Sequence, residues 1–329
     1  MIKRKAVEIG KVRVFHSIPV DKIIADCALF GNFKEAFQCL FLEANHAIGV
    51  NPHSKGWSQI YDKLTQHQNF FDCDFENYDK HLHAELMQTV FNIITKVIQI
   101  VAPDDWDTAR QMLAKESIET YVVDFDTVYK TKRGNKSGEF LTTIVNCIAN
   151  DILSFYTWIK STGIDSIDEF RKNVSIVSFG DDKIEGVSDT YKDQYNYLVS
   201  KKFLTAIGHK ITPGSKDGKE SAFMPIDQLQ FIKRTFKELN GVIVAPLLER
   251  SLESPFVWTT VLDHEFDIWR NIISEKLFEA VLHGEEYYDG FRKKLSRCSN
   301  PDLLREIASM ISVDYESKIQ DYWLNCYKK

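Results

Sequence analysis

The sequence predicts an α+β fold: a small antiparallel sheet flanked by helices, followed by a mainly helical C-terminal region. Three observations carry this. Val174 to Phe179 is a β-branched, apolar run, Lys183 to Val187 can return as a second strand, and Gly180 supplies the backbone freedom of a tight turn between them. Before about Gly241, short apolar runs of this kind alternate with helical patterns. From there to Lys329 the chain reads mostly as helices, Val257 to Leu282 and Pro301 to Tyr327, separated by the Gly- and charge-rich "HGEEYYDGFRKK". A domain boundary is expected near 240–250.

The 329 residues suffice for two domains or one large fold with a sizeable core, and an apolar fraction of 44% with 22 Phe excludes a disordered chain. A net charge of -6 does not advertise nucleic-acid binding. The local clusters Lys130 to Arg133, Lys201-Lys202, Lys233-Arg234 and Arg292 to Lys294 could each meet phosphate, although each one alone reads better as a solvated face. Six cysteines without a C-x-x-C pair argue for reduced thiols and an intracellular compartment. The N-terminus lacks the apolar core of a signal peptide. The most apolar segment, Val90 to Ala102, is too short to span a bilayer and carries Asn92 and Lys96, so no transmembrane segment is expected.

Three segments carry candidate chemistry. Asp72-Cys73-Asp74-Phe75 ends an alternating, strand-like run, and a helix with a buried stripe of Leu82, Leu86, Val90, Ile93, Ile94, Val97 and Ile98 follows. Asp74 therefore falls at a strand end, with Asp79 near a helix N-terminus, where a carboxylate is favoured. In Ser137 to Ile152, Phe140, Leu141, Ile144, Val145, Ile148, Ala149 and Ile152 form the buried side of a helix. Thr142, Asn146 and Asn150 share another face, either a functional surface or one that merely meets water, and Ser137-Gly138 offers a flexible lead-in and cap. The third segment is the hairpin, whose tip carries Asp181-Asp182. Adjacent like charges repel, which makes more sense if something divalent sits against them. If the strands pair, three carboxylates converge at one end of a sheet, an arrangement suited to two Mg²⁺ ions and a substrate phosphate.

These residues resemble the palm of a picornavirus-like viral RNA-dependent RNA polymerase. The resemblance rests on ordered motifs: "DFENYD" at 74–79, "SGEFLTTIVNCIAN" at 137–150 matching S-G-x-x-x-T-x-x-x-N-x-x-x-N, and "FGDD" at 179–182 for Tyr-Gly-Asp-Asp. "GHKITPGSK" at 208–216 and "FIKRTF" at 231–236 are similar to the following loop and the primer-grip hairpin. "GKVRVF" at 10–15, "GVNPHSKGW" at 49–57 and "APLLERSLESPFVWT" fit the end of the basic fingers motif, the segment before the catalytic strand and the approach to the thumb. The resemblance implies a right-hand polymerase fold with a fingers remnant at 1–30, palm at 31–105 and 137–242, a fingers insertion at 106–136 and a helical thumb at 243–329. Family members carry further fingers ahead of Gly10, which implies either a fragment of a larger polyprotein product or reduced fingers.

By the same resemblance, Asp74, Asp181 and Asp182 would hold two Mg²⁺ ions, with Mn²⁺ as a substitute. Lys216 would be the general acid for pyrophosphate; alone it reads equally as a solvated loop lysine. Lys11 and Arg13 would contact the triphosphate, Asp79, Thr142 and Asn146 the ribose 2′-hydroxyl, and Ser137 and Gly138 the template–nucleotide pair. Lys233 and Arg234 would hold primer backbone. The implied activity is RNA-directed RNA synthesis, a nucleotidyl transfer that replicates a positive-strand RNA virus genome. Implied partners are RNA template and primer, NTPs and other viral replication proteins, in membrane-associated complexes of the host cytoplasm. A reverse transcriptase and a non-catalytic RNA-binding fragment are the alternatives. "GSKDGKE" is not a phosphate loop, since its first glycine is missing and Glu220 stands where Ser or Thr is required. A zinc site from Cys73, His81 and His83 is discounted, because one helix would turn the two histidines about 200° apart.

Overall fold

Strand β1 (Asn69–Phe75) lies at the centre of a four-stranded sheet because its side chains are buried on both faces. A computed structural model of the chain describes residues 16–214, 220–257 and 265–327. The predicted alternation of β1 is absent: Phe70, Phe71, Asp72, Cys73 and Phe75 are all buried, as in a strand covered by helices on either side. The helices ahead of it are α1 (Val20–Cys39) and α2 (Lys55–Leu64). After it come the short α3 (Tyr78–His81), α4 (Ala84–Val101) and α5 (Asp107–Ile118). A separate hairpin, β2 (Tyr121–Asp124) and β3 (Thr127–Lys130), precedes the long α6 (Thr142–Thr162) and α7 (Ile167–Asn173). Then β4 (Val174–Phe179), β5 (Asp182–Val187), α8 (Tyr197–Ala206) and β6 (Ile211–Thr212) complete the sheet, in the order β4-β5-β1-β6 with antiparallel neighbours.

Phe71, Cys73 and Phe75 point to one layer, where Val90 and Ile94 of α4 and Val145, Ala149 and Leu153 of α6 join them. On the other face, Phe70 meets Trp57, Ile60 and Leu64 of α2, with Val177, Ile184, Phe231 and Phe236. The α4 stripe is only partly as predicted. Leu82, Val90 and Ile94 are buried, but Met87 and Phe91 complete the inner face, while Ile93 and Val97 are each 41% exposed. Apolar residues ring this helix, so periodicity alone does not pick the inward side. By length and composition α4 could cross a membrane, yet here its inner face packs into the core.

Beyond the hairpin β7 (Lys237–Leu239) and β8 (Val242–Val244), the chain is helical: α9 (Glu249–Glu253), α10 (Glu265–Ala280), α11 (Glu285–Leu295), α12 (Pro301–Ile311) and α13 (Tyr315–Asp321). These enclose a second core around Leu252, Leu277, Tyr288, Phe291 and Ile307. The charged stretch predicted to separate two helices is itself α11. Glu285 and Glu286 lie in the first turn and its bases in the last, favourable against the helix dipole, and Tyr288 and Phe291 are buried. Pro301 to Tyr327 is broken after Ile311, where Asp314 caps a new helix by accepting from the Ser317 N–H.

Candidate active site

The β4–β5 hairpin closes with Phe179 opposite Asp182, leaving Gly180-Asp181 as a two-residue turn. Gly180 has φ +67° and Asp181 is outside the left-handed region, the sign pattern of a type II′ turn with Gly first. Next to β5, β1 is registered so that Cys73 faces Lys183. One residue further, Asp74 reaches the level of Asp182, with Asp181 at the tip alongside. The convergence expected from the sequence is therefore present at the backbone: Asp74 and Asp182 are half-buried and Asp181 is exposed at one sheet end. Among the described residues no three His, Cys, Asp or Glu side chains form a ready metal cage. Mg²⁺ does not require one, because it usually takes one or two carboxylates and fills its octahedron with water and phosphate oxygens. An all-oxygen carboxylate set at an open strand end fits that ion.

Helix α6 braces the turn from behind. Asn150 Nδ2 donates to the Gly180 carbonyl at 2.7 Å, and the Gly180 N–H donates to Cys147 Sγ at 3.3 Å. Burial pushes the Cys147 thiol up to about 11, so it serves as an uncharged acceptor. The Thr/Asn face of α6 is turned inward: Thr142 is half-buried, and Asn146, Asn150, Ser154 and Thr157 form a buried polar ridge. Lower on that ridge, Lys183 Nζ donates to Ser154 Oγ at 2.7 Å and pairs with Glu185 at 2.5 Å. Glu185 also accepts from Ser154 Oγ at 2.8 Å and from Tyr195 at 2.6 Å. Burial is the largest single influence on Lys183 and would discharge it, but the charge and hydrogen bond of Glu185, together with Cys73 and Asp151, outweigh it and hold the amine above its ordinary value.

The other predicted residues divide. Asp79 lies in the first turn of α3, as expected, and its neighbour Tyr78 donates to the Asn146 carbonyl at 3.3 Å, which links the two ribose-reading candidates. Asn146 Oδ1 accepts from Asn135 at 2.7 Å. Thr142 Oγ1 donates to the carbonyls of Lys136 and Glu139, each at 2.9 Å. Ser137 and Gly138 (φ +109°) precede the helix but do not cap it; the N-cap position is Leu141, and Thr142 satisfies the loop carbonyls instead. Lys11, Arg13 and Lys216 lie outside the described residues. Lys233 is exposed. Arg234, expected on the primer backbone, has its guanidinium bidentate to Glu279 of α10, at 2.8 and 2.6 Å.

Four contributors escaped the sequence reading. Asn150 was placed on the right face but given no partner. Lys183 and Glu185 share the helix-facing side of β5 by their spacing of two, which was a usable signal. Asp72, 1% exposed, accepts from the N–H groups of Gly214 at 2.9 Å and Gln230 at 3.0 Å, and burial raises its pKa against those bonds. A Cβ on Gly214 would stand 2.7 Å from that carboxylate, so the loop leading to Lys216 approaches Asp72 as only glycine allows.

A family profile described as viral RNA-dependent RNA polymerase matches residues 2–299. The chain belongs to that family. It is 48% identical over 321 residues to the replication polyprotein of Nora virus, covering 98% of the chain and 15% of that polyprotein. It is 26% identical over 315 residues to the replicase polyprotein of Cricket paralysis virus, covering 91% and 18%. The chain thus spans about a sixth of the polyproteins it matches. Among solved structures, a Sicinivirus 3Dpol RNA dependent RNA polymerase superposes with a TM-score of 0.79 at 19% identity, covering 97% of this chain and 64% of that one. The right-hand polymerase fold expected from the motifs is therefore the fold observed.

Proposed function

We propose that the chain performs RNA-templated RNA synthesis in the replication of a positive-strand RNA virus genome. The observation that carries this reading is the meeting of Asp74, Asp181 and Asp182 at one end of the β4-β5-β1 sheet, on a turn braced by Asn150. The primer 3′ hydroxyl gives its proton to water and attacks the α-phosphate of an NTP; the new P–O bond forms as the bond from that phosphorus to the bridging oxygen of the β-phosphate breaks, releasing pyrophosphate. Two Mg²⁺ ions, when bound, supply activation of the hydroxyl and stabilisation of the leaving group. Asp74 and Asp181 would be the principal ligands of those ions, with Asp182 assisting, and most of the catalysis is positional and electrostatic.

Asp79 and Asn146 read the ribose 2′-hydroxyl. Asn135 occupies the Asn146 oxygen, so its NH₂ is the group left to face the sugar. A site built for a hydroxyl rejects the analogue that lacks it. Ser137 and Gly138 lie beneath the template–nucleotide pair, Lys11 and Arg13 meet the triphosphate, and Lys216 protonates pyrophosphate. The palm spans 31–105 and 137–242, around the central sheet, and the thumb 243–329, around the second core; 1–30 and 106–136 belong to the fingers. Partners are RNA, NTPs and other viral replication proteins in membrane-associated complexes of the host cytoplasm.

Primer extension on an RNA template with Mg²⁺, comparing NTPs with dNTPs and the wild-type chain with Asp181→Asn, tests this. NTP-selective extension abolished in the variant is expected. Equal use of dNTPs would overturn the ribose-reading roles and favour a reverse transcriptase. Absence of extension by the wild-type chain would overturn self-sufficient synthesis and favour the non-catalytic fragment.

A further inference from the structure

Phe231 and Arg234 exchange backbone hydrogen bonds of 2.9 and 2.8 Å, closing a two-residue turn at Ile232-Lys233. Both turn residues are left-handed, Ile232 at φ +43° and Lys233 at +63°. This is the type I′ geometry that ordinarily calls for Asn-Gly, and a β-branched residue there is a genuine outlier. Nothing in the Ile-Lys pair favours such a shape, so its surroundings must impose it.

Those surroundings form a clamp. On one side Phe231 and Phe236 stack on Trp57, with ring centroids 6.1 and 5.0 Å away. The Leu248 N–H donates to the Lys233 carbonyl at 2.8 Å. On the other side the Arg234 fork grips Glu279 and also donates to the Ala245 carbonyl at 2.7 Å. Glu279 accepts in addition from His53 Nε2 at 3.2 Å, while His53 Nδ1 meets the Tyr322 hydroxyl at 3.3 Å. The side chains of Arg234 and Glu279 are 12% and 10% exposed, so water competes little for the pair. Within this fixed frame Lys233 is exposed.

We propose that Glu279 is a positioning residue: through Arg234 it holds the strained Ile232-Lys233 turn in the shape that presents the Lys233 ammonium to the backbone of the RNA duplex. The proposal rests on the polymerase reading above, because it takes RNA as the ligand. Strain held by two buried partners on different elements has a use if the turn's shape matters to what binds it. Helix α10 and the RNA grip then move as one unit.

The test measures the affinity of a primer–template RNA duplex between 50 and 200 mM salt, with thermal melts to verify folding. Lys233→Met is expected to weaken binding about tenfold and to lower the salt slope by about one. Glu279→Gln should reproduce both effects, and Lys233→Met should add less than about twofold on top of it, since the two act on one contact. Ile232→Asn, which favours the left-handed turn intrinsically, should bring the Glu279→Gln chain back to within about twofold of wild type. A purely structural pair would not produce that rescue. Wild-type affinity and slope in Glu279→Gln, or losses that simply multiply, would overturn the proposal. If Glu279→Gln fails to melt cooperatively, Arg234→Lys, which keeps the charge but loses the fork, takes its place under the same criteria. Wild-type RNA binding without primer extension would overturn the polymerase reading, and the binding comparison would still decide the clamp. No wild-type binding would overturn both.

Discussion

Two of the tight turns of this protein solve the same problem in opposite ways. Gly180-Asp181 puts glycine where φ is positive, and Ile232-Lys233 puts two side-chain-bearing residues there. The first turn carries its shape in its own sequence, and Asn150 only steadies it. The second takes its shape from Arg234, which closes it, and from Glu279 and Trp57 beyond it. One presents acids for which small displacements would matter; the other, in the role proposed above, presents a base for a sequence-blind phosphate. A shape written locally survives loss of its neighbours better than a shape imposed from outside.

The largest expected effect lies beneath the first turn. Lys183→Met leaves the Glu185 carboxyl group, 0% exposed, without its cation. Urea denaturation should show a loss of about 3–5 kcal/mol, whereas the double change Lys183→Met/Glu185→Met should recover most of it. A double variant as unstable as the single one would mean that the pair does more than neutralise itself.

Next in size is a pH effect at the second turn. Burial alone would raise the Glu279 carboxyl, but hydrogen bonds from His53 and Arg234, with their charges, bring it down to about 2. The folded value is depressed, so the unfolded chain binds more protons in acid. The contribution is present above the ordinary value near 4.5 and is lost as pH falls toward 2, by about 3 kcal/mol. Stability measured from pH 6 to 2 should fall across that window, and Glu279→Gln should flatten the curve there.

Gly180→Ala isolates the first turn's local encoding. An added Cβ would meet only Thr143 Cγ2, at 3.9 Å, so the cost is backbone conformation alone, about 1–2 kcal/mol. The smallest effect has the opposite sign. Ile232→Asn in the wild-type chain should stabilise by less than about 1 kcal/mol, because relief of left-handed strain is partly offset by the apolar contacts Ile232 makes with the core around Trp57. If both substitutions destabilise equally, the contrast between the turns is void.

The same contrast explains what was legible in the sequence. The hairpin, the sheet-end acids and the first-turn place of Asp79 were readable because strand period, turn chemistry and helix ends are local. Asn150 was readable as a face, but its bond to Gly180 joins positions 30 apart and needs the fold. Arg234 was read as a phosphate contact because basic residues in a loop suggest phosphate, and nothing near it announces its bond to Glu279, 45 positions on. Helix α11 hid behind its charges, since its two buried aromatics are few against so many exposed ionic residues. The alternation assigned to β1 failed because a central strand has no wet face.

Asp72 has a consequence for synthesis of the chain. Its carboxylate stands inside the protein against the amides of Gly214 and Gln230, segments made well over a hundred residues later. A nascent chain emerging from the ribosome can fold β1 onto α2 long before those amides exist, but the acid would then be buried without donors. The acidic sheet end is therefore completed late, once residues beyond 230 are available, and translation itself sets the earliest moment at which the site is whole.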